Sequence, residues 1–355
     1  MERAIKKQTI GGLKVVEEGA CVPSSRPNAK TRLGMDICAP LAQQRINLTL
    51  LTHVAGSQGS ESHTLLCTEL KAGADTHSLI QVHLRERGLS QLVPRTCIIS
   101  LYPHNQRPEV TGLFLRNLAQ ARILIHGLAS SPSAISGVIS SGDKDRAIRQ
   151  LFRQFQFSSY QSPAEFHAAQ LPPEELVRAV VATYQEKVIK IYCLVQEPDL
   201  DLWELAIPSA EALGKLGGAL VAMGEQGFKL PFLVALPVLR SKQMLISFGL
   251  CANIAAGDRA AETARVLKSH LTDLTARHQA LVAAIFVHGP HFGDRYGIGH
   301  ILVEALERAN VTLLALSCTV SSISAIIPQK DLASAVQMLE QTFDIPRLQP
   351  VQCRS

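Results

Sequence analysis

Aromatic residues are scarce: Phe, Trp and Tyr make up 5% of the 355 residues, and Trp203 is the sole tryptophan. Any core must therefore be filled by Leu, Ile, Val and Ala, as in small α/β modules. Paired cysteines are missing too. The eight cysteines, at 21, 38, 67, 97, 193, 251, 318 and 353, form no CxxC pair and mostly sit within apolar runs. That pattern argues against a structural zinc site and predicts small buried hydrophobes in a reducing compartment. Met1–Ile10 is polar and lacks the apolar stretch of a signal peptide. No apolar run approaches the ~18 residues of a membrane span; Leu230–Leu239 is short and holds Pro231 and Pro237. A cytoplasmic protein without membrane contact is expected. The net charge is only +5, and the basic residues are not clustered into the stripe that nucleic acid requires. The run Asp143-Lys144-Asp145-Arg146 alternates in sign and reads as a solvated helix start.

What is present is material for cores, with 46% hydrophobic and 18% charged residues, and a repeat. Cys97–Phe155 opens with an apolar strand, Cys97–Tyr102, and a polar loop, Pro103–Pro108. Glu109–Gln120 has Val110, Leu113, Phe114 and Leu118 at helical spacing. Strands Ile123–Leu128 and Ala134–Ile139 flank the turn Ser130-Ser131-Pro132, and a helix Asp143–Phe155 closes the unit with Asp143 as N-cap. Val282–Phe343 follows the same order. Leu118 and Leu306, Ile135 and Ile323, Asp143 and Asp331, and Phe155 and Phe343 all lie 188 residues apart.

Weaker copies flank these two. In Leu13–Arg87 the spacing predicts strand Leu13–Glu18, loop Gly19–Arg32, helix Leu33–Gln44, strands Asn47–Val54 and Thr64–Thr68, and helix Thr76–Arg87. In Val188–Leu271 it predicts strand Val188–Val195, an acidic loop Glu197–Asp201, helix Ser209–Glu225, strands Phe232–Leu236 and Gln243–Leu250, and helix Asp258–Leu271. The fold class is α+β: four ferredoxin-like βαββα modules in two pairs, at 1–92, 93–160, 174–278 and 279–346, with antiparallel sheets and helices on one face. A linker falls near Ser158–Pro173. Units this small bury little core alone, so pairing into larger sheets is expected. Pro237 makes its strand an edge or strand end, although a buried central strand is the alternative.

This pattern resembles the ACT regulatory region of aspartate kinases. The resemblance is carried by Gly293, Gly297, the helix His300–Ala309, Asn310-Val311-Thr312-Leu313, Ser321-Ser322-Ile323-Ser324 and Ala335-Val336 with Phe343 in the last unit. Ile10-Gly11-Gly12 and Gln44-Arg45-Ile46-Asn47-Leu48 carry it in the first. The family's kinase domain opens with Lys-x-Gly-Gly-Ser/Thr. Lys7-Gln8-Thr9-Ile10-Gly11-Gly12 has the wrong spacing for it, and no stretch of the chain remains for such a domain. The expectation is therefore a protein that is not an enzyme. The family also places an acidic residue after its Ile-Asn-Ile run to hold an effector's amino group; here those positions are Thr49 and Thr312.

The resemblance implies an amino-acid-like ligand in the loop between first strand and first helix, where backbone N–H groups suit a carboxylate. The candidates are Ser24, Ser25, Arg26 and Asn28, with Thr49, in the first unit, Arg26 forking a carboxylate. In the third they are Glu197, Asp199 and Asp201, suited to an ammonium group. Ordinary solvated loops are the competing reading. Gly289, Gly293, Gly297 and Gly299 alternate with His288, His291 and His300, but Gly299 precedes a histidine where a phosphate loop needs lysine, and no carboxylate completes a metal set. No G-x-S-x-G elbow exists. The reading is a regulatory sensor without metal or cofactor, forming a homodimer. An interaction subunit of an amino-acid-biosynthesis enzyme and a degenerate enzyme remain as alternatives.

Overall fold

The computed structural model describes residues 7–26, 33–56, 61–84, 89–169, 189–252, 256–271, 275–289, 296–319 and 322–345. A short β1 (Gln8–Ile10) precedes the first module, which contains β2 (Gly12–Arg26), α1 (Ala39–Gln43), β3 (Leu50–Val54), β4 (Ser62–Glu69), α2 (Gly73–Leu84) and β5 (Leu89–Ser90). The second has β6 (Val93–Tyr102), α3 (Pro108–Gln120), β7 (Ile125–Ser130), β8 (Ile135–Ser140) and α4 (Lys144–Gln154), followed by β9 (Phe155–Phe157) and α5 (Pro163–Ala169). The third has β10 (Cys193–Ile207), α6 (Ala210–Glu225), β11 (Lys229–Val238), β12 (Gln243–Cys251) and α7 (Ala256–His270). The fourth has β13 (Ala276–His288), α8 (Ile298–Arg308), β14 (Ala315–Cys318), β15 (Ser322–Pro328) and α9 (Leu332–Thr342). The fold is mixed α/β, built of ferredoxin-like modules with antiparallel sheets, as the sequence pattern predicts.

In each module the first strand lies beside the third and the third beside the second. Modules one and two join through their first strands, β2 and β6, and modules three and four likewise through β10 and β13. Modules two and three join through β7 and β11, and modules four and one through β14 and β3. Twelve strands thus close into a ring, with β5 appended to β2. Closure removes most of the open edges that a row of small sheets would expose.

Alternation along the strands sorts side chains to the two faces of the ring. Cys21, Leu50, Leu65, Cys67, Val138, Leu202, Phe232, Phe286 and Ile326 share an inner core. Outside, α3, α4, α6 and α7 cover modules two and three, contributing Phe114, Leu118, Leu151, Leu216 and Leu267 to one cluster. Ile37, Leu41, Leu302, Leu306 and Leu339 fill the matching layer over modules one and four. The helix crossing between α3 and α6 is very close. A Cβ on Gly112 would lie 2.4 Å from the Gly217 carbonyl oxygen, and one on Gly217 would lie 2.6 Å from that of Gly112.

Elements that the sequence spacing pairs have matching geometry. Helices α4 and α9 each have eleven residues, and Asp143 and Asp331 before them share φ of −93° with ψ of −5° and −2°. Phe155 and Phe343 after them both revert to extended backbone, and both are buried. Strands β2 and β10 are fifteen residues each, and each has a positive-φ residue at its seventh position, Glu18 and Asp199, where the pairing register shifts.

Several expectations are corrected. The first-unit loop begins late: β2 runs through Pro23, Ser24 and Ser25 to Arg26, paired with β4 on one side, because inward Ser25 is satisfied by a histidine rather than by water. The first strand of the third unit is β10, displaced from the predicted Val188–Val195, and the acidic segment Glu197–Asp201 is strand with a bulge rather than loop. Its carboxylates suggested solvent, but they have internal partners. Pro237 sits at a strand end, next to last in β11, and that strand is central rather than an edge, being paired on both sides and buried through Leu236. Asp143 stands at the N-terminal position of α4 yet makes no capping bond, since its carboxylate accepts from Arg146 Nη2 at 2.7 Å instead. Of the cysteines, Cys193 is exposed, Cys251 and Cys318 are half-buried, and Cys353 lies outside the described residues. No described helix is long and apolar enough to cross a membrane.

Candidate ligand site at the module junctions

Ser24 and Ser25 lie buried in β2; Ser25 Oγ is 2.9 Å from His63 Nδ1, and Ser24 Oγ donates to the Thr64 carbonyl. Arg26 forms an ion pair with Asp36, just before α1, which occupies the guanidinium proposed to fork a ligand. Asn28 lies outside the described residues. The polar row continues to His53, whose Nδ1 lies 2.8 Å from Thr64 Oγ1. Burial, with a smaller contribution from His63, lowers the His53 pKa to about 3. Burial also lowers that of His63. A histidine kept neutral in the fold but free to protonate near its ordinary value when unfolded makes folding proton-sensitive. Stability is full above pH ~6.5 and falls as pH drops toward 3, by up to about 4 kcal/mol for His53. Urea midpoints measured across that range should fall more shallowly in His53→Asn than in the parent chain.

In the third unit, Glu197 accepts from Gln106 Nε2 at 3.0 Å and from the Cys251 thiol at 3.3 Å. Burial, then Glu197, raises the Cys251 pKa to about 12, keeping the thiol a donor. Asp201 is fully buried and receives Arg259 Nε on one oxygen and His278 Nε2, at 2.9 Å, on the other. Arg259 also reaches Asp199 at 3.3 and 3.4 Å. Burial lowers the Arg259 pKa, but the bonds to Asp201 and then Asp199 outweigh it, and the net shift is upward. His278 stacks on Trp203 with ring centroids 4.6 Å apart. The three acids expected to meet an ammonium ligand therefore hold an arginine, a histidine, an amide and a thiol of the chain itself.

Thr49 does border a cavity. About 250 Å³ of space opens at one end of the ring, lined from module one by Lys14, Val16, Thr49 and Leu50. Module two adds Ile98, Ser100, Tyr102, Pro103, Ser133, Ala134 and Ser136, and module four adds Thr319. Ser100 and Ser136 hydroxyls are 2.7 Å apart, and Thr319 Oγ1 donates to the Ser322 carbonyl at 3.2 Å. Burial, then Tyr160, raises the Tyr102 pKa, so its phenol is a donor throughout the neutral range. The sequence pointed here only through Thr49. The other lining residues come from three modules, and no local spacing relates them. A smaller crevice between α1 and α8 holds Cys38, Gly297, Gly299, His300 and Cys318. Gly297 takes φ of +83° at the start of α8, the turn its glycine permits, while His291 and Gly293 lie outside the described residues. Among the described residues no group of three His, Cys, Asp or Glu is placed to hold a metal.

Residues 277–341 match the family model of the ACT domain. No curated protein matches the chain. Among solved structures, aspartate kinase from Synechocystis superposes on 96% of this chain with a TM-score of 0.74 and 15% identity. This chain spans 58% of the length of that enzyme. The ligand-free regulatory subunit of aspartate kinase from Thermus thermophilus matches 41% of this chain and 99% of its own, at a TM-score of 0.37 and 18% identity. The aspartate kinase of Clostridium acetobutylicum matches 46% of this chain and 36% of its own, at 0.37 and 12%. The first of these overturns the expectation that the chain is not an enzyme, since the fold present along nearly its whole length is found in a kinase. That expectation rested on a missing Lys-x-Gly-Gly signature and on the lack of room for a kinase domain, and a missing signature excludes one phosphate cradle rather than an enzyme's fold.

Proposed function

We propose that this chain is an ACT-type regulatory unit that binds an amino acid or a similar small ligand where its modules meet, and that binding controls an aspartate-kinase-type activity. The observation that carries the reading is the cavity beside Thr49, built jointly by modules one, two and four. A ligand there touches residues of three modules at once and favours one relative arrangement of them, with a coupling limited by its differential affinity for the two arrangements. The module boundaries proposed are 1–92, 93–160, 174–278 and 279–346, as tandem copies of one unit. A cytoplasmic homodimer is the proposed assembly. Of the residues expected at the site, Thr49 has the strongest support; Ser24, Ser25, Arg26, Glu197, Asp199 and Asp201 would have to exchange the partners described above.

Isothermal titration of the full chain with the common amino acids and their hydroxy-acid counterparts tests this. Saturable heat with at least one of them at or below millimolar concentration is expected. Silence with all of them would sink the proposal.

A further inference from the structure

Modules one and two supply most of the cavity's lining, and two rows of side chains set them apart from modules three and four. Across β2, β6 and β8, Lys14 faces Ser100 and Ser100 faces Ser136. Across β10, β13 and β15 the corresponding row is Val195, Phe286 and Ser324. The correspondence is fixed twice. Lys14 and Val195 are third residues of strands with the same length and the same bulge, and Ser136 and Ser324 lie 188 residues apart in the repeat. A second substitution lies on the neighbouring strands. Cys21 faces Cys67, which faces Leu50, while Leu202 faces Gly249, which faces Phe232. Phe286 and Phe232 are buried in the inner core, filling the space that Ser100 and Leu50 leave open in the other half. Among the described residues the Oγ of Ser324, opposite a phenyl ring, has no hydrogen-bond partner, whereas that of Ser136 meets Ser100.

Small side chains in place of aromatic ones make room; polar ones make the room selective. The cavity has one cation, Lys14, with hydroxyls from Thr49, Ser100, Ser133, Ser136 and Thr319, and no carboxylate among its lining residues. An ammonium group would find no anion there, while an anionic group would find Lys14 and two hydroxyls in register beside it. The volume of about 250 Å³ lies below the roughly 300–1,000 Å³ of pockets for drug-sized ligands, which suits a small occupant. We propose that this cavity binds a small carboxylate, or an oxyanion of similar size, held by Lys14 and the hydroxyls of Ser100 and Ser136. The site rests on the functional reading above for its location and narrows the ligand to one whose carboxylate, not its amino group, is recognised.

The test uses three near-isosteric probes on the full chain, 2-hydroxybutyrate, L-2-aminobutyrate and 2-hydroxybutyramide, with inorganic phosphate as a fourth. Titration should give binding of 2-hydroxybutyrate, weaker binding of the zwitterion and none of the neutral amide. Lys14→Met should raise the Kd roughly tenfold or more, the effect of losing a hydrogen bond to a charged group. Ser100→Phe copies the other half of the ring and should abolish binding while leaving the far-UV spectrum and Tm near those of the parent. If Ser100→Phe fails to fold, the solvent-exposed Lys14→Met variant still decides. Phosphate binding alone, lost in Lys14→Met, supports the oxyanion form of the site. Equal affinity for acid and amide, or affinity unchanged by Lys14→Met, would overturn it. Amino-acid binding that survives both substitutions would leave the sensor reading standing and place the ligand elsewhere.

Discussion

Replacing Asp201 with alanine should destabilise the chain by about 3–5 kcal/mol, the cost of leaving a buried charge without its partner. Asp201 is completely buried, Arg259 is 1% exposed, and the two meet beneath α7 with His278 on the second carboxylate oxygen. Asp199 is more than half exposed and carries little of this; Asp199→Asn should change stability by no more than about 1 kcal/mol. The pair as a whole is a different matter from either half. Removing both charges together, as Asp201→Leu with Arg259→Met, should restore most of the loss, because desolvation of the two ions offsets much of their attraction. Urea unfolding of the three variants measures all of this. A loss below about 1 kcal/mol for Asp201→Ala would mean that Arg259 escapes to water, and the cluster would not be the anchor of α7 on β10.

The second large effect is at the helix crossing between modules two and three. In an isolated helix, Gly217→Ala stabilises by about 0.8–1.0 kcal/mol. Here the new Cβ would meet a backbone carbonyl oxygen at 2.6 Å, and backbone cannot swing aside as a side chain can. The net result should be a loss of about 1–3 kcal/mol, the usual range for overpacking. Gly112→Ala, on the opposite helix, should behave alike. Gly142 has nothing within 4 Å of its Cβ position, so Gly142→Ala serves as the control and should shift the midpoint by less than about 0.5 kcal/mol. A midpoint that rises in Gly217→Ala would show that the two helices separate readily, and the tight contact between these modules would have to be given up.

Local order was legible in the sequence wherever periodicity and spacing are themselves local. The 188-residue repeat located α3 and α4 against α8 and α9, because buried Leu118 and Leu306 or Phe155 and Phe343 must recur wherever the same packing recurs. Two things misled. Glu197, Asp199 and Asp201 read as a solvated turn, since a carboxylate in a strand gives no sign that an arginine sixty residues on will neutralise it. Pro23, Ser24 and Ser25 read as a loop because their partner, His63, enters from another strand. Of the residues that line the candidate cavity, the sequence singled out only Thr49. Lys14, Ser100 and Ser136 are unremarkable in their own segments and become a set only when β2, β6 and β8 lie side by side. Their significance also needs the contrast with Val195 and Phe286, which no linear motif expresses.

Closure of the ring through β3 and β14 has a consequence for biosynthesis. On the side away from β4, the strand Leu50–Val54 pairs with Ala315–Cys318, three modules further along the chain. During translation the first module leaves the ribosome long before that neighbour exists, with one border of its sheet still unpaired. Closure of the ring must therefore wait until Ala315–Cys318 has been made, and chaperones have an apolar strand border to shield until then.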